Sequence, residues 1–242
     1  MRFFALIAAI ALIAIPAAGC SPSGKAPGQA AAGDQIRAYI LAHPEVIEEA
    51  IGKLQERRQA AADTQLKAQL VANRSKVERD PRDYVAGNPN GKVTVVEFFD
   101  YRCPYCKAAL PEIAKLIADN KDVRFVFKEF PILSPISETA ARAAYAAKAQ
   151  GKYWPVHQAL LAEKNLDGES IDRILRDNGV DVARAHADGA GKATTDFLEE
   201  TRALGRATGV NGTPAFIIGD RMVSGWVPAD IQAGIAEARK KS

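Results

Sequence analysis

At 242 residues the chain has room for one full-sized domain and an appendage, but two equal domains would be cramped. Lys plus Arg number 32 and Asp plus Glu 29, a formal charge of +3 too balanced for a phosphate-tracking surface, so nucleic acid is not expected as a partner. The apolar fraction of 48% with only 7% aromatic reflects a heavy alanine load and predicts a helix-rich fold.

Arg2 supplies a small positive start, and residues 3–15 form an uninterrupted apolar run of the length of a signal-peptide core. The run is too short to cross a membrane comfortably as a mature helix. Helix-breaking Pro16 follows, then Ala17, Ala18, Gly19 and Cys20, small residues ending in a cysteine in a way that resembles the lipobox of bacterial lipoproteins. Residues 1–19 therefore read as a lipoprotein-type signal peptide, with Cys20 lipidated and its acyl chains holding the body to a membrane of the cell envelope. Ordinary cleavage nearby, with Cys20 an incidental thiol, is the alternative.

Residues 20–33, rich in Ser, Pro, Gly and Ala, read as a flexible tether. Asp34 is a good N-cap ahead of Ile36, Tyr39 and Ile40 at helical spacing, and Pro44 ends one helix and opens the next. Ile47, Ile51, Leu54, Leu66, Leu70 and Val77 continue a narrow apolar stripe that lasts until Pro81. Alone, such a helix is marginal in water and needs a partner surface. Residues 34–83 are accordingly expected to oligomerise, several chains pooling their stripes as in a short coiled coil. A solvated spacer, or a helix pair folded back on its own domain, fits the same pattern.

Residues 93–99 (Val-Thr-Val-Val-Glu-Phe-Phe) predict a central strand covered on both faces, and residues 122–130 predict a second. Between the strands, Cys103-Pro104-Tyr105-Cys106 leads into a helical run. Residues from about 134 to 208 read as an all-helical block with caps and stops at Ser137, Gly151, Asp167, Gly179 and Gly209. Residues 215–218 and 222–223 then predict a hairpin around Gly219-Asp220, and Pro228 opens a last helix.

The cysteine pair has three possible uses. A four-ligand zinc site needs two more Cys or His ligands, and His43, His157 and His186 are scattered without ligand spacing, so no metal is expected. A structural bridge across two residues closes too small a loop to remove much entropy from the unfolded chain. Redox chemistry remains, and it needs a sulfur ionised near neutral pH. Cys103, at a predicted helix N-terminus, faces unpaired backbone N–H groups and the positive end of the helix dipole. Cys106, one turn deeper, takes the resolving role. Pro104 sits where a helix tolerates proline, and Tyr105 either tunes the Cys103 thiolate or is a simple surface tyrosine. Glu97 lies inside the apolar strand, where burial raises its pKa and equips it to pass a proton to Cys106; a solvated rim position, paired with Lys128, is the alternative.

Residues 98–106 (Phe-Phe-Asp-Tyr-Arg-Cys-Pro-Tyr-Cys) together with Gly212-Thr213-Pro214-Ala215-Phe216 resemble the DsbA-like proteins of the thioredoxin superfamily, over residues 84–242. The resemblance implies an α/β, thioredoxin-like fold with an inserted all-helical subdomain, preceded here by the N-terminal helical extension. It implies a thiol-disulfide oxidoreductase without a cofactor. Pro214 would be the family's cis-proline beside the dithiol, Thr213 would offer its backbone to an extended substrate, and Glu97 would be the buried acid of the active site. The partners implied are secreted or envelope proteins with thiols or disulfides and a membrane redox partner, DsbB-like or DsbD-like. The residues Gln35-Ile36-Arg37-Ala38-Tyr39-Ile40 with His43-Pro44-Glu45-Val46 are similar to the extension of ScsC-type trimeric members, which implies a homotrimer.

Disulfide exchange with isomerase capability, a pure dithiol oxidase, and a chaperone-like or copper-binding envelope protein remain open at this point. Soft thiolates suit Cu(I), and a redox direction cannot be read from two letters between cysteines.

Overall fold

The computed structural model describes residues 27–241. The expected signal peptide 1–19, the lipidation site Cys20 and the first part of the tether lie outside the described residues. The chain divides into two compact units, Met1–Arg58 and Gln59–Ser242.

In the first unit, α1 spans Pro27–Ala42, and α2 (Glu45–Glu78) begins after Pro44. The first helix starts inside the stretch expected as tether, 20–33, and Asp34 sits within it instead of capping it. Alanine is the strongest helix former and proline is tolerated in a first turn, so 27–33 carries helix where composition suggested flexibility. Ile36, Tyr39, Ile47, Ile51 and Leu54 are exposed within this unit.

The second unit is built on a five-stranded sheet: β1 (Tyr84–Gly87), β2 (Val93–Phe99), β3 (Val123–Glu129), β4 (Ala215–Ile218) and β5 (Arg221–Ser224), in the order β1-β3-β2-β4-β5. Only β2 and β3 are parallel, so their connection must cross a face, and α3 (Pro104–Asp119) makes that crossing. The inserted block comprises α4 (Pro135–Ala149), α5 (Tyr153–Ala162), α6 (Gly168–Asp177), α7 (Val182–Ala190) and α8 (Lys192–Ala207), and α9 (Pro228–Lys241) closes the chain. Ser134, rather than Ser137, caps α4.

Alternation along β2 divides the core. Val93, Val95 and Phe99 join Phe127, Ile113 of α3 and Ile231 of α9 on one face. Val96 and Phe98 join Val126, Leu204 of α8, and Leu70 and Val77 of α2 on the other. The compact unit thus begins at Gln59 and not at 84, because a sheet buried on both faces needs a cover and the end of α2 supplies it.

Candidate active site

The strand β2 ends at Phe99, and a three-residue turn, Asp100 to Arg102, delivers Cys103 to the N-cap of α3. Pro104 occupies the first helical position, where its missing N–H costs nothing. Cys103 has an extended backbone, φ −72° and ψ 117°, and its own N–H donates to Asp100 O at 3.0 Å. Both cysteines are free thiols; Cys106 is fully buried, and Cys103 is 3% exposed.

The two sulfurs differ sharply. The Cys106 thiol, directed at Cys103, is first among the effects that hold Cys103 down to about 6, followed by the Thr213 side chain and the backbone N–H groups of Cys106 and Tyr105; burial opposes them. When protonated, Cys103 Sγ donates to Thr213 O at 3.1 Å. Burial pushes Cys106 strongly upward, reinforced by its hydrogen bond to Cys103 and by the carboxyl of Glu97. One thiol is therefore mostly ionised at neutral pH and its neighbour is not.

Glu97 is 4% exposed and alternates with Val95 and Phe99 onto the face that receives Cys106. Burial, with the Cys103 sulfur beside it, raises its pKa to about 8. Lys128, the alternative partner for Glu97, lies on the other face, where it forms a buried ion pair with Asp83 and donates to Lys76 O at 2.6 Å. Pro214 follows a cis peptide bond, and the preceding Thr213 carbonyl is the one that meets Cys103. Tyr105 is 70% exposed and turned to solvent. Cys103, Cys106, Glu97, Thr213 and Pro214 therefore converge, with Pro104 and Tyr105 between the thiols.

Asp100 was missed in the sequence. It is buried, and its Oδ1 accepts from Arg102 N at 2.7 Å while Oδ2 accepts from Ile132 N at 2.8 Å and Leu133 N at 3.0 Å. It thereby holds the segment carrying the exposed Ile132 and Leu133 against the active-site turn. An Asp two residues ahead of an amide it can cap is an Asx-turn signal that the sequence did carry. No such signal announces Glu129, Tyr153 and His157, which pack against Tyr101 from behind.

Residues 94–234 match the DSBA-like thioredoxin domain, and residues 29–61 match the N-terminal domain of the copper resistance protein ScsC. A solved thioredoxin-like oxidoreductase from Silicibacter pomeroyi DSS-3 is 41% identical, with a TM-score of 0.67, covering 69% of this chain and 98% of its own. BcfH of Salmonella enterica Typhimurium is 28% identical, with a TM-score of 0.74, covering 88% of this chain and 96% of its own. A Na(+)/H(+) antiporter NhaA 3 of Salinispora tropica is 34% identical over 158 residues, 64% of this chain; the chain spans about a quarter of the length of the curated relatives it matches. Among the described residues no helix is long and apolar enough to cross a membrane. With a mixed sheet, a helical insert and the paired thiols at the start of α3, the chain belongs to the DSBA-like thioredoxin domain family, whose members are thiol-disulfide oxidoreductases.

Proposed function

We propose that this chain is an exported enzyme that exchanges disulfides in envelope proteins, by oxidation and isomerisation, through Cys103 and Cys106. The observation that carries the reading is the contrast between the two sulfurs: Cys103 is held ionised at a helix start, and Cys106 is kept protonated one turn deeper.

In the oxidising direction a substrate thiolate attacks Cys103 Sγ of the Cys103–Cys106 disulfide. The new bond is the mixed disulfide, and the bond broken releases Cys106 as a thiolate, which takes the proton held by Glu97. A second substrate thiolate then attacks the substrate sulfur of the mixed disulfide and expels Cys103. The two electrons stay on the enzyme as its dithiol, for a membrane partner, DsbB-like, to remove. In isomerisation the Cys103 thiolate attacks a mispaired bridge instead, and a DsbD-like partner keeps the pair reduced. The Thr213 carbonyl, beside Cys103, is placed to receive the backbone N–H of an extended substrate.

The exposed stripe of Ile36, Tyr39, Ile47, Ile51 and Leu54 supports assembly of several chains, a homotrimer by similarity to the ScsC N-terminal domain. Lipid attachment at Cys20 would hold that assembly to the membrane. The test is insulin reduction and scrambled-ribonuclease refolding by the chain begun at Ser21, with mass measured by light scattering. Cys103→Ser must abolish both activities; retention of either sinks the reading and leaves a binding role. Trimeric mass with ribonuclease reactivation supports isomerisation, and a monomer that only oxidises overturns that part.

A further inference from the structure

Four polar side chains that the exchange steps leave unused meet behind the turn that leads into Cys103. Glu129, the last residue of β3, is buried, as are Tyr101 in the turn and Tyr153 and His157 on α5. The Tyr153 hydroxyl donates to Glu129 Oε1 at 2.7 Å, the Tyr101 hydroxyl donates to the same oxygen at 3.1 Å, and the Tyr101 oxygen lies 3.1 Å from His157 Nδ1.

Donor counting sets the direction of the last contact. A phenol has one hydrogen, and Tyr101 gives it to Glu129, so His157 Nδ1–H donates to Tyr101 and the lone pair falls on Nε2. His157 Nε2 is indeed buried without a hydrogen-bond partner, as is Glu129 Oε2. A carboxylate at Glu129 would be dry, and Asp100 and Asp83 would repel it; burial lifts Glu129 to about 8 and presses His157 down to about 3. Both phenols also lie well above their ordinary range, by burial first and by Glu129 second. At neutral pH the cluster is uncharged, with the Glu129 proton on Oε2, so no unpaired charge is buried.

The turn is clasped once to the end of β3 and once to the chain that follows it. Asp100 grips the amides of Ile132 and Leu133, and Tyr101 grips Glu129. These anchors reach the helix through the hydrogen bond from Cys103 N to Asp100 O and the Asp100 backbone contact to Cys106. Loosening either clasp therefore moves the sulfur relative to the N–H groups that stabilise its charge.

We propose that Glu129 is a positioning residue for disulfide exchange: through Tyr101 it fixes the turn that presents Cys103 to the start of α3, and through Tyr153 and His157 it ties that turn to the helical insert. The proposal rests on the exchange reading above. Bonding one carboxyl to both the turn and α5 makes the sulfur's setting depend on how the insert packs, and the insert is the part of the fold added to the sheet.

The experiment uses the chain begun at Ser21, reduced, as the native protein and as Tyr101→Phe, Glu129→Ala and Glu129→Gln. Cys103 ionisation is followed by thiolate absorbance, the dithiol equilibrium by glutathione, and exchange by insulin reduction. Tyr101→Phe and Glu129→Ala should each lower the thiolate fraction at pH 6 by about two- to fivefold, the scale of one net hydrogen bond. Glu129→Gln, which still offers an oxygen to both phenols, should stay within about twofold of native. Tyr101→Phe combined with Glu129→Ala should be no worse than the worse of the two alone, since both act along one chain of bonds. Tyr101→Phe removes a single oxygen and keeps the test alive should Glu129→Ala not fold. A folded Tyr101→Phe whose Cys103 titrates and equilibrates like native overturns the proposal. Native protein that fails to reduce insulin overturns the exchange reading instead.

Discussion

Replacing Cys106 with alanine removes the foremost of the effects that hold Cys103 at about 6, while the N–H groups at the start of α3 and the Thr213 side chain remain. A hydrogen bond to a charged group is worth about 1.5–3 kcal/mol. At ~1.36 kcal/mol per pKa unit, its loss lifts the Cys103 midpoint by about one to two units, toward 7–8. The thiolate fraction at pH 7 then falls from ~90% to between ~50% and ~10%, still above the ~3% of a free cysteine near 8.5. Cys106→Ser keeps a donor at the same place and should leave the midpoint near that of the native protein. Thiolate absorbance against pH reads each variant without ambiguity, because the chain begun at Ser21 then has one thiol. Folded alanine and serine variants with the same midpoint would refute the reasoning: the neighbouring donor would then contribute nothing, and the helix start alone would set the ionisation.

Glu97 gives a pH signature. Its folded pKa of about 8 lies above the unfolded value of ~4.3, so the stability associated with its protonated form is complete below ~4.3 and lost as pH rises through 8. Glu97→Gln should therefore match the native denaturant midpoint at pH 4 and exceed it at pH 8; a difference independent of pH counts against burial as the cause. Asp100→Ala should destabilise by about 2–4 kcal/mol, since three backbone N–H groups lose a charged acceptor, and the amides of Ile132 and Leu133 should lose protection from hydrogen exchange. Unchanged protection there would dissociate Asp100 from the loop. Asp83→Ala should cost about 3–5 kcal/mol in urea unfolding, because it strands the Lys128 ammonium in the interior. Lys128→Met should cost less, because burial already lifts Asp83 to about 7 and it can keep its proton; equal losses would contradict that asymmetry.

Much of the frame was legible because its signals are local. The β-branched and aromatic run of 93–99 is the strand β2, and Pro228 opens α9. Gly151, Gly179 and Gly209 follow helix ends with positive φ, where a residue without Cβ is favoured. The strand β1 was not anticipated: three half-buried residues and an exposed glycine carry too little alternation, and their conformation comes from pairing with β3, Tyr84 opposite Phe127. The fate of α2 was equally hidden. A stripe that ends in Leu70 and Val77 is compatible with a partner chain or with the chain's own sheet, and it is the apolar face of β2 and β3, which Leu70 and Val77 cover, that decides for the latter at that end.

By itself the order of residues determined that a cysteine would cap a helix three positions before a second one, since the backbone groups that stabilise a thiolate there belong to the same few residues. Tertiary structure alone decided how far that preference is realised. Thr213, whose side chain helps lower the Cys103 pKa, comes from 110 residues away, and Glu129 and His157 reach Tyr101 from 28 and 56 residues away. Desolvation of Cys106 and Glu97 requires the face of the sheet that carries them to be covered by distant segments. Charge states in the interior follow from which distant segments exclude water together, and no window of sequence contains that information.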